Sequence, residues 1–330
     1  MAALTHGFGV SHTPMLNTEE EDWERFLERD AAGSFRDKNG APATYGELLA
    51  SAPPDIAGLI VPDRLREQYA QAQQGVERMR RAIESARLDA LIVVGDDQKE
   101  LYHEDNLPSI LVYYGPAIRN LPRHLKKPNK VPWFQRARGG YYEAEGARDY
   151  PVDSDLARHL IASLVDQEFD ISTSDRLPDG QGEGHAFGFI HTRLMERSTD
   201  LPVVPVRLNT YYPPNQPTPR RCYQLGRAIR AAVESHASDK RVGILASGGL
   251  SHFVVDEELD RGLIDAMGRK DAEALCTMDR VKLNSGSSEI RNWICIAGAV
   301  EHLQMRWHDY LACYRTPAGT GTGIAFAEWN

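Results

Sequence analysis

The chain has 330 residues, 42% of them hydrophobic and 26% charged. Those proportions exclude a disordered, collagen-like or coiled-coil chain, and the length permits a large buried core. A formal net charge of −9 excludes broad neutralisation of a phosphate backbone, so no nucleic-acid partner is expected.

Taken in chain order, Phe8 to Val10 is the first short apolar run. Asn17 to Pro54 follows as a charged, Gly- and Pro-punctuated excursion. Leu65, Tyr69, Ala72, Val76, Met79 and Ile83 recur at three- and four-residue steps, the spacing of one helix face, with Asp63 as its expected N-cap. Apolar runs at Leu91 to Val94 and Ile110 to Tyr114 read as buried strands. Pro116 to Pro151 is basic and aromatic, with Lys126, Lys127, Trp133, Arg136, Arg138, Tyr141 and Tyr142, and reads as a lid or subunit contact. Strand-like runs resume at Val203 to Leu208, Val242 to Ala246 and Ile324 to Phe326. A helix opens at Thr218-Pro219, with Cys222, Leu225, Ile229 and Val233 on its apolar face. Another starts near Ser287 or Ser288 and buries Ile290, Trp293, Ile294, Ala297 and Val300.

Strands alternating with helices predict an α/β fold: a mostly parallel central sheet flanked by helices, with excursions near 17–54 and 116–151, in one domain spanning 1–330. The four cysteines form no C-x-x-C pair and read as reduced thiols. No apolar run approaches the roughly 18 residues of a membrane span, and the N-terminus shows no secretory signal. A cytoplasmic protein is expected, and a homodimer is the expected assembly.

The placement of the eleven histidines carries the chemical information. His12 follows the first strand, and His252 follows Gly248-Gly249 beyond the Val242 run. Carboxyl ends of strands are where open α/β sheets hold ligands, although a strand-end His also serves as a hydrogen-bonded structural residue. Glu289, at a helix start, either complements the helix dipole or points into the same crevice as a metal ligand. Gly184 to His191 offers His185 and His191 in a glycine-rich, aromatic setting. The acceptors of Gly95-Asp96-Asp97-Gln98-Lys99-Glu100 suit a hard cation or an Asx-type turn. Nucleotide-binding glycine loops, G-x-S-x-G and H-E-x-x-H are all lacking.

In order along the chain stand Ser11-His12-Thr13-Pro14, Gly95-Asp96-Asp97, Tyr211-Tyr212-Pro213-Pro214, Arg221-Cys222, Gly248-Gly249-Leu250-Ser251-His252, and Glu289 with Trp293. This set resembles the class III extradiol ring-cleavage dioxygenases, the family of the protocatechuate 4,5-dioxygenase catalytic subunit. The length is similar to that of single-chain members acting on substituted catechols such as methylgallate. The resemblance implies a non-haem Fe(II) site of two histidines and one carboxylate, a catechol substrate and O2. His12 and Glu289 match two ligand positions, and His252 matches the second-sphere acid/base histidine. Where the family carries Asn-Asp-His, this chain has Asp96-Asp97-Gln98. Three readings follow: Gln98 binds the metal through its amide oxygen, His103 takes its place, or the protein is a non-catalytic binding relative with an altered site. His185 is expected as a hydrogen-bonding wall near O2 or substrate. A carboxylate-bearing, lignin-type aromatic acid is the expected substrate, with Gly319 and Thr320 as candidate hydrogen-bond donors to it and Arg315 either a source of charge or, the favoured reading, a solvated salt bridge. A zinc hydrolase built on the same residues is the third class of function considered.

Overall fold

The computed structural model describes residues 1–122, 132–196 and 198–330; Lys126 and Lys127 of the basic stretch lie outside them. The main sheet and its helices run as β1 (Ala3–Val10), α1 (Pro62–Ala86), β2 (Ala90–Asp96), β3 (Ile110–Tyr113), α2 (Ser154–Asp166) and β4 (Ser172–Ser174). They continue as α3 (His185–Phe189), β5 (Val203–Leu208), α4 (Pro219–Ser235), β6 (Arg241–Ser247) and β7 (His252–Val254). The last elements are α5 (Glu257–Arg269), α6 (Ile290–Ala299), β8 (Met305–Tyr314) and β9 (Thr320–Trp329).

The nine-stranded sheet has the order β7-β9-β1-β6-β2-β5-β3-β4, with β8 also paired to β9. Its centre, β1-β6-β2-β5, is parallel. β9 runs antiparallel to β1, β7 and β8, and β3 antiparallel to β5. The expected parallel sheet is thus the centre of a mixed one.

Both faces of the centre are covered, which explains the unbroken apolar runs. Along β2, Ala90, Ile92 and Val94 pack with α2, α4 and α6, while Leu91 and Val93 pack with α1 on the opposite face. α4 and α6 approach closely because Gly226 faces α6; a Cβ there would lie 1.8 Å from the Cys295 carbonyl oxygen. Thr218 caps α4 through its side chain, with Pro219 in the first turn as expected. At α1 the cap is Val61 with Pro62 in the first turn, not Asp63. Proline's fixed φ starts that helix one residue ahead of the polar residue.

The two excursions stay off the sheet. The first contains a short hairpin, Ser34–Arg36 with Pro42–Thr44, and the helix Tyr45–Ser51. The second contains the hairpin Ala117–Asn120 with Arg148–Pro151 and the helix Pro132–Gly139. Phe26, Trp133 and Tyr141, contributed by these excursions, pack in the same cluster as α1. Among the described residues no helix is long and apolar enough to cross a membrane.

Candidate active site

The parallel register aligns the carboxyl ends of the central strands. Val10 of β1 stands beside Ser247 of β6, and Ala246 of β6 beside Val94 of β2. His12 therefore emerges next to Ser247 and the end of β2. α6 is tied to the same edge: Asn292 Nδ2 donates to the Ser247 carbonyl at 2.9 Å, and Trp293 Nε1 to the Gly248 carbonyl at 2.7 Å. Those two bonds place Glu289, one residue before α6, at the strand ends.

His12, Gln98, His185, His252 and Glu289 all line one cavity of about 270 Å³. Arg29, Glu100, Phe134, Arg138, Tyr141, Tyr211, Arg315 and Thr322 are among its other walls. His103 is exposed and is not part of this lining. Thr320 turns its hydroxyl to Asp30 at 2.8 Å, and Arg315 lies 2.9 Å from the same carboxylate.

Hydrogen bonds set the ring tautomers. Ser247 Oγ donates to the Ala186 carbonyl at 2.6 Å, so it accepts from His12 Nδ1 at 2.9 Å. His12 Nε2 then carries a lone pair, yet it faces Glu289 Oε2 at 3.2 Å and Asp96 Oδ1 at 3.9 Å. His252 Nδ1 donates to the Leu250 carbonyl at 2.8 Å, leaving Nε2 to accept, 3.4 Å from Glu289 Oε2. His185 Nδ1 lies 2.6 Å from Glu100 Oε2, which also accepts from the His185 backbone N–H at 2.9 Å. Gln98 Nε2 donates to Glu289 Oε1 at 3.2 Å and sits 3.4 Å from His185 Nε2. Gly249 N–H donates to Glu289 Oε2 at 2.8 Å. That glycine also makes room for the acid/base candidate, since a Cβ at Gly249 would lie 2.2 Å from His252 Cε1.

Charge follows burial. Burial lowers the His12 pKa, offset in part by Glu289. Burial, and then Glu289, push the Asp96 carboxyl well above its usual range. Burial also works against ionised Glu289, but His252, His12 and His185 outweigh it and hold the carboxyl low. For His185, burial favours the neutral ring and Glu100 overrides it, raising the pKa to about 9.

A divalent ion fits this donor set. His12 Nε2 and both Asp96 oxygens are buried and make no hydrogen bond among the described residues. Acceptors that face one another without a proton between them are costly unless a cation shares them. His12, Asp96, His185 and Glu289 each bring one donor atom within 4.8 Å of the others. Asp97, by contrast, accepts from the backbone N–H groups of Leu101 and Tyr102, four and five residues on, at 3.0 and 3.4 Å. Glu100, Tyr141 and Tyr211 went unassigned from sequence. Glu100 stands in the acceptor run and Tyr211 in the Tyr-Tyr-Pro-Pro motif, but neither motif says which way a side chain turns.

Residues 49–325 match the family described as the catalytic LigB subunit of aromatic ring-opening dioxygenase, and the chain belongs to that family. A gallate dioxygenase of Pseudomonas putida is 30% identical over 202 residues, covering 56% of this chain and 57% of the relative. A 2,3-dihydroxyphenylpropionate/2,3-dihydroxicinnamic acid 1,2-dioxygenase of Xanthobacter autotrophicus is 32% identical over 146 residues, 44% of each chain. An enzyme of the same name from Rhodococcus is 28% identical over 224 residues, 65% of this chain and 67% of the relative. The chain spans about half the length of the first two relatives.

Proposed function

We propose that this protein opens the ring of a substituted catechol by extradiol cleavage with O2, with Fe(II) as its metal. One observation carries the reading: His12, Glu289 and His252, from three distant segments, converge in one cavity with their Nε2 and carboxylate lone pairs turned inward. His12 and Glu289 would hold the ion. When bound, such an ion brings a catecholate and O2 together and passes electron density between them.

The chain's own groups do the rest. His252 Nε2 is free to take a catechol hydroxyl proton, because Nδ1 is committed to Leu250. An imidazole can hold that proton and return it near neutral pH. Phe134 and Tyr141 give the aromatic ring an apolar wall and keep water away. A cavity of about 270 Å³ is just below the usual span of ligand sites, roughly 300 to 1,000 Å³, so a single-ring substrate fits best.

Arg29, Arg138 and Arg315 line the same cavity, which supports an acidic substituent on the ring. The relatives named for gallate and dihydroxyphenylpropionate support the same substrate class, as would a methylgallate or protocatechuate-like acid. Within this proposal the chain acts as one catalytic unit, since the cavity draws on residues from His12 to Thr322. It works as a cytoplasmic homodimer: closed twofold assembly is the commonest for soluble oligomers, and free thiols suit a reducing compartment.

The test is oxygen uptake with a panel of acidic and neutral catechols after anaerobic reconstitution with Fe(II). Uptake with ring-opened product is expected from the wild type. His252→Ala should lose turnover by about 100-fold or more while retaining the ion. Normal turnover in that variant removes the proton role, and no uptake with any catechol removes the function.

A further inference from the structure

We propose that the ion is caged by His12, His185, Glu289 and Asp96, with the second imidazole supplied by α3 and not by the end of β2. This rests on the ring-opening reading and deepens it. Gln98 follows β2 but is poorly turned for a ligand. Its amide nitrogen faces the Glu289 carboxylate at 3.2 Å and His185 Nε2 at 3.4 Å. The Glu289 carboxylate accepts from that nitrogen, so rotating the amide to present its oxygen would set acceptor against acceptor.

His185 has what Gln98 lacks. Its ring is clamped from behind by Glu100, at 2.6 Å to Nδ1, while the backbone N–H of the same residue holds the same carboxylate oxygen at 2.9 Å. A carboxylate on the far nitrogen is the usual device for orienting a metal-bound imidazole. The His185 ring stands edge-on to His12, with centroids 4.7 Å apart. Ser247 links the two ligands by accepting from His12 and donating to the Ala186 carbonyl.

Asp96 adds the second carboxylate. It is fully buried, and neither oxygen has a hydrogen-bond partner among the described residues. Two carboxylates and two neutral imidazoles balance a doubly charged ion without help from solvent, and nitrogen and oxygen donors of this kind suit Fe(II) or Mn(II). The four donors lie within 4.8 Å of one another, drawn from the ends of β1 and β2, the start of α3 and the turn before α6.

The experiment is an anaerobic titration of the full-length apo-protein with Co(II), followed by its visible ligand-field absorption, and with Fe(II) by calorimetry. His185→Ala should weaken binding by about 100-fold or more and Asp96→Asn by at least about 10-fold. His103→Ala should bind within about threefold of the wild type, and Gln98→Ala, which removes a hydrogen bond to Glu289 but no ligand, should lose at least about tenfold less affinity than His185→Ala. His185→Asn, which keeps a donor toward Glu100 but loses the imidazole, guards against a folding artefact. Each apo variant is checked by its urea midpoint. Adding Gln98→His to His185→Ala should recover binding, because position 98 faces the same donors. Loss of the ion in Gln98→Ala with normal binding in His185→Ala overturns the proposal. If His12→Ala and Glu289→Ala lose the ion while His185→Ala keeps it, only this inference fails. If all three bind normally, the ring-opening reading fails with it.

Discussion

Two imidazole–carboxylate pairs stand six residues apart in the chain. His185 pairs with Glu100 at 2.6 Å, and His191 pairs with Glu183 at 2.8 and 2.9 Å. All four side chains are nine-tenths buried or nearly so. Their surroundings differ. His185 opens onto the cavity beside His12. His191 lies under the Tyr150 ring, with centroids 3.9 Å apart and planes 9° apart, and Asn120 bonds its carboxylate partner at 2.8 Å. Pairing with a carboxylate therefore does not define a site. What separates the two is the open edge of one ring and the covered face of the other.

Substitutions at the two carboxylates put that contrast to the strongest test. Glu183→Gln should cost about 3 kcal/mol of stability, because a buried imidazole loses its charged partner. Urea denaturation measures it, and ion affinity should stay unchanged. A drop in affinity there would join the two pairs into one system. Glu100→Gln should act the other way round. Ion affinity should fall by about 10- to 100-fold, as is usual when the group behind a metal-bound imidazole is altered. A Co(II) titration reads that loss, and an unstable variant with normal affinity would make His185 a second His191.

The smallest effect concerns a buried carboxylate that has no imidazole. Asp260 accepts from Ser251 N–H at 2.8 Å, Ser251 Oγ at 2.6 Å and Tyr310 OH at 2.8 Å. Burial nonetheless wins over these three donors and raises the carboxyl from 3.8 to about 7. The folded protein thus holds a proton that the unfolded chain has released between those values. Stability falls as pH rises through that window, by about 1 kcal/mol between pH 5 and pH 6. Asp260→Asn should remove this slope, read from urea midpoints at the two pH values. An unchanged slope would mean that Asp260 is already ionised.

Legibility in the sequence tracked burial on both faces. Val203 to Leu208 reads as a strand and is one, and the Leu91 and Val242 runs fall inside β2 and β6. β8 was not legible as an apolar run, because Arg306, His308 and Asp309 interrupt it and only Met305 to His308 alternate between a half-buried and an exposed face. β4 and β7, at three residues each, are too short to leave a pattern. At the site, strand-end position singled out His12 and His252, and a helix start singled out Glu289; all three line the cavity. Direction was not legible. Asp96 and Asp97 are neighbours, yet one turns to the donor cluster and the other to the backbone of Leu101. Alternation along β2 decides that, and the run of acceptors beyond it hides the phase. The clamp on His185 joins residues 85 positions apart, a separation that local spacing does not encode.

The hydroxyl of Ser247 has a further consequence. It is engaged on both sides, toward His12 and toward the carbonyl of Ala186. A displacement of α3 is therefore transmitted to the imidazole two residues beyond β1. Enlarging the chamber by repacking α3 would spoil the floor as well as the wall. Room for bulkier rings has to come from Phe134 and Arg138, on the helix Pro132–Gly139, where a side chain can be trimmed without tugging on either histidine.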